Sequence, residues 1–335
     1  MKNDFGRNKK GEETSLFILE NENFRLSLSD YGATIVSWIY KPKSLELVAG
    51  FDNAENYVNH TAHFGSMIGR VANRIKDAKF TLNCKEYHVT ANKGGNSLHG
   101  GENGFDKRLF MGEETADNQI VFTALSEDGD EGYPGNLEVE IIYTLLEDGI
   151  RIDTSGTADA DTLFGITNHS YFNLNGKGSV LGHVIEIPAD VYAPNLEDGT
   201  ADGTYVECAG TTFDFTEPKV LEKALDTDDA QVVMTQGFDH HFNIPGEGMR
   251  KMGSAQANGL KLVVRSDLPG VHFYTGNFLN GNYTGHNGVN YGRQERFCFE
   301  PEFYPNAINY EGLKQPILKA NKKETQSIEY LLFEE

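Results

Sequence analysis

Residues 137–152 read Leu137-Glu138-Val139-Glu140-Ile141-Ile142-Tyr143-Thr144-Leu145-Leu146-Glu147-Asp148-Gly149-Ile150-Arg151-Ile152. Leu137, Val139, Ile141 and Tyr143 recur at every second position, so an extended chain puts them on one face and Glu138 and Glu140 on the other. Asp148-Gly149 interrupts the run, and Ile150 and Ile152 resume it. A two-residue alternation broken by Asp-Gly signals a β-hairpin.

The same period recurs on both sides of this stretch. Phe24, Leu26 and Leu28 alternate with Arg25, Ser27 and Ser29, Tyr31-Gly32 turns the chain, and residues 32–40 form a β-branched and aromatic run of strand length. We expect these two strands to open the fold. Phe80 and Leu82 precede a polar Asn83-Cys84-Lys85-Glu86 turn that leads to Tyr87 and Val89. Further strands are expected around Val121, Phe122 and Leu125, around Ile185 and Ile187, and at Leu260, Leu262 and Val264. Val271, Phe273 and Thr275 follow a Leu268-Pro269-Gly270 turn, and Ile328, Tyr330 and Leu332 mark a last strand. Only residues 53–58 and 219–225 suggest helices, both short.

Strands separated by turns, with little helical periodicity between them, predict an all-β fold, a large antiparallel β-sandwich with few short helices. The 36 glycines among 335 residues agree, since tight turns need positive φ. No linker, fixed-period repeat or low-complexity tract divides the chain, so residues 1–335 are read as a single domain.

Apolar residues make up 39% and charged residues 24%, which suits a soluble protein with a sizeable core. The formal net charge of −21 disfavours nucleic acid and anionic lipid as partners and favours a neutral or cationic small molecule. Cys84, Cys208 and Cys298 are odd in number, far apart and without metal-ligand spacing, which predicts neither a disulfide framework nor a zinc site. Residues 1–13 lack the apolar stretch of a signal peptide, and no run approaches the roughly 20 apolar residues of a membrane span. We expect a cytoplasmic protein, a monomer or homodimer, with no cofactor.

Several segments can carry chemistry. Gly165-Ile166-Thr167-Asn168-His169-Ser170-Tyr171-Phe172-Asn173-Leu174 sets a histidine among hydrogen-bonding and aromatic side chains, and histidine alone changes charge near neutral pH without help. Gly69-Arg70-Val71-Ala72-Asn73-Arg74-Ile75 offers two guanidinium forks, which bind oxygens bidentately. Asn96-Ser97-Leu98-His99-Gly100-Gly101 follows a histidine with glycines that admit a close backbone approach. In Gly237-Phe238-Asp239-His240-His241-Phe242 the neighbouring histidines face apart on a strand, which argues against a shared metal. His60 and His63 have helical spacing without a third ligand, and no metal site is expected. In Arg296-Phe297-Cys298-Phe299-Glu300-Pro301-Glu302, burial of Glu300 in an apolar run would raise its pKa toward the value a general base needs.

Asn73-Arg74, His99, residues 167–174, Asp239 and Glu300, in that order, resemble the aldose 1-epimerase (galactose mutarotase) family. The resemblance runs from Tyr31-Gly32 to about Asn309, and is most specific at Leu98-His99-Gly100-Gly101, at residues 168–173 and at residues 270–278. It implies a galactose mutarotase-like β-sandwich and interconversion of the α and β anomers of hexoses such as galactose and glucose. It implies Glu300 as catalytic base, His169 as acid, His99 and Arg74 as groups polarising sugar oxygens, and Asp239 as a hydroxyl acceptor. Asn73 and Tyr171 would line the sugar site, with His272 also contacting sugar. Two positions depart from the family, which commonly has glutamine where this chain has His272 and Glu302. A histidine at 272 with the ordinary pKa of about 6.5 would weaken sugar binding on acidification. Two rival functions remain at this stage: a glycoside hydrolase using Asp239 and Glu300, and a sugar-binding or regulatory protein without turnover.

Overall fold

The run at 137–145 forms the strand Leu137–Leu145, in which Leu137, Val139, Ile141, Tyr143 and Leu145 are buried and the residues between them are exposed or half-buried. It pairs antiparallel with Gly149–Ala158, Leu145 facing Ile150. The hairpin glycine serves a purpose other than positive φ: an added Cβ at Gly149 would sit 2.0 Å from the Tyr330 carbonyl oxygen. It lets the neighbouring strand Lys323–Glu334 approach closely.

The computed structural model describes residues 2–225 and 227–335. Its large sheet has nine antiparallel strands in the order Met111–Ala116, Gln119–Ser126, Leu137–Leu145, Gly149–Ala158, Lys323–Glu334, Leu260–Ser266, Arg250–Ala257, Val184–Glu186 and Lys219–Val220. A five-stranded sheet joins Lys2–Arg7, Glu13–Glu20, Phe24–Ser29, Thr34–Tyr40 and Leu45–Glu46. Another joins Val206–Glu207, Val191–Ala193, Asp239–Asn243, Gly270–Tyr274 and Cys298–Glu302. Both pack on the large sheet. Phe17 meets Phe122 edge-on at 5.5 Å, the Tyr143 hydroxyl donates to the Ala33 carbonyl at 2.6 Å, and the Phe299 ring lies over Gly253, 2.9 Å from where a Cβ would be. One apolar cluster draws on all three sheets, from Phe17 to Leu332. This is the expected β-sandwich.

Two differences from the sequence reading have local causes. The fold opens with two strands before Phe24, not at it. Lys2–Arg7 is a mostly exposed edge strand, and Glu13–Glu20 carries four contiguous apolar residues at 16–19 in place of an alternation. Besides the expected short helices Ala54–Asn59 and Leu221–Ala224, a third spans Ala230–Thr235. Asp229 caps it by accepting from the Gln231 and Val232 amides, and six residues are too few to show a period. Among the described residues, no helix is long and apolar enough to cross a membrane.

The paired arginines of the 69–75 segment part company. Arg70 is buried at 2% exposure and donates to the Ser126 and Thr162 hydroxyls and to the carbonyls of Ser126, Glu127, Pro134 and Gly135. It ties a loop to the fold, its donors all taken by protein acceptors. Replacing Arg70 by Met leaves the Pro134 and Gly135 carbonyls without their donor, each costing about 1–3 kcal/mol, whereas the Glu127 carbonyl keeps the Asp130 amide. We expect R70M to lose about 3–5 kcal/mol in urea unfolding while the folded fraction keeps its activity. A loss under about 1 kcal/mol would show that water replaces the guanidinium.

Candidate active site

Alternate residues of a strand take opposite faces, and three adjacent strands of the last sheet exploit this together. Asp239 stands opposite Tyr274, and His241 opposite His272. His272 in turn stands opposite Glu300, and Gly270 opposite Glu302. One face therefore presents Asp239, His241, His272, Tyr274, Cys298, Glu300 and Glu302. The other presents Phe242, Val271, Phe273 and Phe299 to the core. His240 and His241 face apart as expected. His240 lies edge-on to Phe213 at 4.6 Å and contacts Gln231, while His241 Nδ1 lies 3.3 Å from Glu302. Gly270 makes room for His241, since an added Cβ would come within 2.4 Å of that ring.

Loops supply the facing groups. The short strand Thr167–Asn168 pairs with Met67–Ile68, and the next residue, His169, donates its amide to the Ser66 carbonyl at 3.0 Å. Its ring stacks on Tyr171, with centroids 5.0 Å apart and planes at 10°. Its Nε2 lies 3.5 Å from Glu300 Oε2 and its Nδ1 3.7 Å from Cys298 Sγ. Burial holds His169 well below the usual imidazole range, and the nearby His63 and His272 push it the same way. Burial pushes Glu300 well above the carboxylate range; His272 opposes this, while Glu302 and Asp239 add to it. Burial also pushes the Cys298 thiol up. The Cys298 sulfur can accept a hydrogen held on Nδ1, which leaves Nε2, beside Glu300, free to gain and lose the working proton.

His99 accepts the Asn73 amide on Nδ1 at 3.2 Å. Burial and neighbouring histidines hold it neutral, well below its ordinary pKa, so its Nε2–H remains a donor. Arg74 follows, its amide bonded to Asn73 Oδ1 at 2.9 Å, and its buried Nε has no partner. An unfilled donor of that strength is suited to a ligand oxygen. Asp239 Oδ1 lies 2.7 Å from His272 Nε2. Burial pushes Asp239 up, but the His272 bond and charge bring it below the usual carboxylate range.

All eight residues expected in the site thus form one contiguous group: Asn73, Arg74, His99, His169, Tyr171, Asp239, His272 and Glu300. Three expectations need correction. Gly100 and Gly101 serve protein packing, because a Cβ on Gly100 would lie 1.8 Å from the Gly69 carbonyl and one on Gly101 2.2 Å from the Glu131 carboxylate. His60 and His63 do not share a helix face, as the helix ends at Asn59. Nor does His272 have an ordinary setting, since the carboxylates of Asp239 and Glu302 raise it to about 10 against the effect of burial.

Sequence reasoning missed His63. Its Nδ1 contacts Asp106 at 2.8 Å, and its ring lies 4.9 Å from His99 and 5.8 Å from His169. Only the turn through Gly65 and Ser66, which delivers both His63 and the support for His169, signals it. His169, Cys298 and Glu300 each bring a ligand-type atom within 4.8 Å of the others. A cation there would need the Cys298 thiolate, which burial opposes. A groove of about 1570 Å³ past Tyr31, His60, Lys107 and Arg108 involves none of the eight residues.

The sequence profile of the aldose 1-epimerase family matches residues 15–331. The chain is 37% identical to human galactose mutarotase, over 93% of this chain and 92% of the relative. It is 35% identical to the aldose 1-epimerase of Escherichia coli K12, over 90% and 89%. The crystal structure of galactose 1-epimerase from Lactobacillus acidophilus superposes with a TM-score of 0.89 at 26% identity, covering 100% of this chain and 99% of that one. The chain belongs to the aldose 1-epimerase family.

Proposed function

We propose that this protein interconverts the α and β anomers of free hexoses such as galactose and glucose, with Glu300 and His169 as the base and acid. The observation that carries the reading is the 3.5 Å approach of His169 Nε2 to Glu300 Oε2 in a buried polar pocket. Two groups that share a proton at that range can serve opposite ends of one hemiacetal. The names borne by the relatives supply the sugar class.

The pair works with one proton between its members. With that proton on His169, Glu300 takes the proton of the C1 hydroxyl, a C1=O double bond forms, the bond from C1 to the ring oxygen breaks, and His169 protonates that oxygen. Glu300 is now protonated and His169 neutral, the distribution that burial favours for both groups. The aldehyde rotates about C1–C2 and the C5 hydroxyl attacks its other face. His169 then recovers its proton and Glu300 returns its own to the C1 oxygen. Arg74 and the His99 Nε2–H donate to sugar oxygens as charge grows on them, Asp239 accepts a hydroxyl, and Asn73, Tyr171 and His272 shape the pocket. Each proton transfer is worth roughly 10²- to 10⁴-fold, so the pair supplies about 5–11 kcal/mol. Neither hydrolysis by Asp239 and Glu300 nor binding without turnover makes use of the His169 contact. We read the protein as cytoplasmic and single-domain, supported by three free cysteines and one core cluster spanning most of the chain.

Polarimetry on fresh α-galactose or α-glucose tests the activity. Glu300→Gln should cut kcat at least about 10²-fold with little change in KM, as expected for loss of a general base. A variant keeping more than about a tenth of wild-type kcat removes Glu300 from that role. His169→Asn should also lower kcat, and a rise in KM alone would make His169 a binding group.

The pH profile follows from the single shared proton. Below the working range His169 gains a second proton for the pair, and its lowered pKa places that limb of kcat/KM below about 6.5. Above the range Glu300 loses the only proton, and its raised pKa places that limb well above about 4.5. We expect a bell whose acid limb lies below about pH 6.5, and an acid limb centred above that would refute the depressed His169. Dialysis against a chelator should leave activity intact, and a loss restored by zinc would contradict a metal-free reaction.

A further inference from the structure

Beneath the proposed sugar site lies a second group of ionisable side chains that the reaction does not consume. His272, in the middle strand, stands between two carboxylates. Its Nε2 is 2.7 Å from Asp239 Oδ1 and its Nδ1 is 3.4 Å from Glu302 Oε1. Glu302 Oε1 also lies 3.3 Å from His241 Nδ1 and 3.3 Å from Asn73 Nδ2. His241, His272 and Glu302 are all buried, none above 5% exposure.

Donor arithmetic constrains this cluster. An ionised carboxylate accepts and cannot donate, so a ring nitrogen bonded to one must carry hydrogen. His272 Nε2 therefore donates to Asp239, while Nδ1 has the Asn73 amide nitrogen at 3.2 Å and Glu302 Oε1 at 3.4 Å, and a hydrogen on Nδ1 directed at Glu302 makes His272 a cation donating in two directions. The Asn73 amide is oriented independently, because its Oδ1 accepts the Arg74 amide at 2.9 Å. Its NH₂ group therefore points toward Glu302 and His272, and Glu302 is the acceptor in reach when His272 Nδ1 bears hydrogen. His241 donates to Glu302 from Nδ1, and its Nε2 has no partner, as a neutral ring allows. Glu302 thus gathers hydrogens from three side chains on three segments.

We propose that Glu302 is a positioning residue: it holds His272 as a double donor, and His272 in turn fixes the Asp239 carboxylate where it receives a sugar hydroxyl. This rests on the proposed sugar-binding role of Asp239. It explains the two departures noted in the sequence as one exchange, in which a histidine at 272 and a glutamate at 302 together take places commonly held by two neutral amides. Either change alone buries an uncompensated charge, and both together bury a hydrogen-bonded ion pair. The charged and titratable groups around His272 are Asp239 and His241 on one neighbouring strand, Glu300 and Glu302 on the other, and Arg74, His99 and His169 from the facing loops. The burial of Glu302 pushes its pKa up, yet the bonds from His241 and His272 bring it below the usual carboxylate range, in keeping with an ionised centre.

Two measurements on the full chain test the proposal. In ¹⁵N-labelled wild type at pH 8, with the His272 signals assigned by their loss in H272Q, both ring nitrogens should bear hydrogen. One bare nitrogen, or a titration midpoint near the ordinary value of about 6.5, overturns the double donor. The second measurement is mutarotation kinetics on α-galactose for E302Q, H272Q and the double variant H272Q/E302Q. Each single variant should raise KM at least about tenfold with a smaller change in kcat, the size expected when one partner of a buried charged pair is left alone. The double variant should regain at least half of that loss on a logarithmic scale. Wild-type KM should stay flat between about pH 6 and 8.5, whereas E302Q, with one carboxylate removed from His272, should acquire a KM that rises with pH. A double variant whose loss equals the product of the single losses overturns the coupling. Should a single variant fail to fold, the wild-type nitrogen signals, assigned by their loss in the double variant H272Q/E302Q, still decide. The spectra are read in resting protein, so failure of the acid–base reading, seen as an active E300Q, stays distinct from failure of this one.

Discussion

The strands Asp239–Asn243, Gly270–Tyr274 and Cys298–Glu302 share a strict two-residue period, and the site depends on it. In Cys298–Glu302 the residues Phe299 and Glu300 are neighbours with opposite tasks, one in the core beneath the sheet and the other in the pocket above it. A slip of one residue in register would put Glu300 among phenylalanines and Phe299 in the pocket. The aromatic packing on the core side therefore protects the geometry of the candidate site as well as stability. Phe273 stacks on Phe299 with centroids 5.0 Å apart, and this pair lies directly under His272 and Glu300. The register of one face is enforced by the burial of the other.

Burial also sorts the ionisable groups into two kinds. Asp239, His272, Glu302 and His241 compensate one another through short contacts, and ionised carboxylates persist there despite the low dielectric. Glu300, His99 and the Arg74 Nε lack such compensation. Glu300 has His169 at 3.5 Å, and the Arg74 Nε has no acceptor. An uncompensated buried group is costly unless a ligand completes it. Glu300, His99 and Arg74 are thus the groups left with unfilled capacity, while Asp239, His272, Glu302 and His241 satisfy one another.

Much of this was legible in the chain because it depends on local rules. Alternation at 137–152 revealed the large sheet, and the opposite facing of His240 and His241 followed from strand geometry alone. The eight expected site residues came from the family resemblance that those motifs carry, and the fold brings them together. What stayed hidden depends on contacts between distant segments. His63 enters the site through a turn signalled by nothing beyond Gly65 and Ser66, Cys298 matters through one nitrogen of a ring 129 positions away, and Arg70 looked like Arg74 until its acceptors at 126–135 and 162 were known. The ordinary pKa expected of His272 failed for the same reason, since its two carboxylates lie 33 and 30 positions away along the chain.

Backbone conformation adds a last constraint. His63, Asn73 and His99 all hold positive φ, at 56°, 62° and 53°. Asparagine and histidine enter this region more often than most residues, yet each such non-glycine residue costs roughly 1 kcal/mol or more. Glycine would relieve the strain at 63 or 99 and would remove the imidazole. The left-handed turns reverse the chain within one residue, which lets Asn73 offer its amide to the His99 ring while the His99 amide returns to the Asn73 carbonyl at 2.9 Å. Two strained residues thus lock each other across the pocket wall. The strain is tolerable because the core beneath is continuous, and a relaxed backbone would release the His99 ring from the Asn73 amide that orients it.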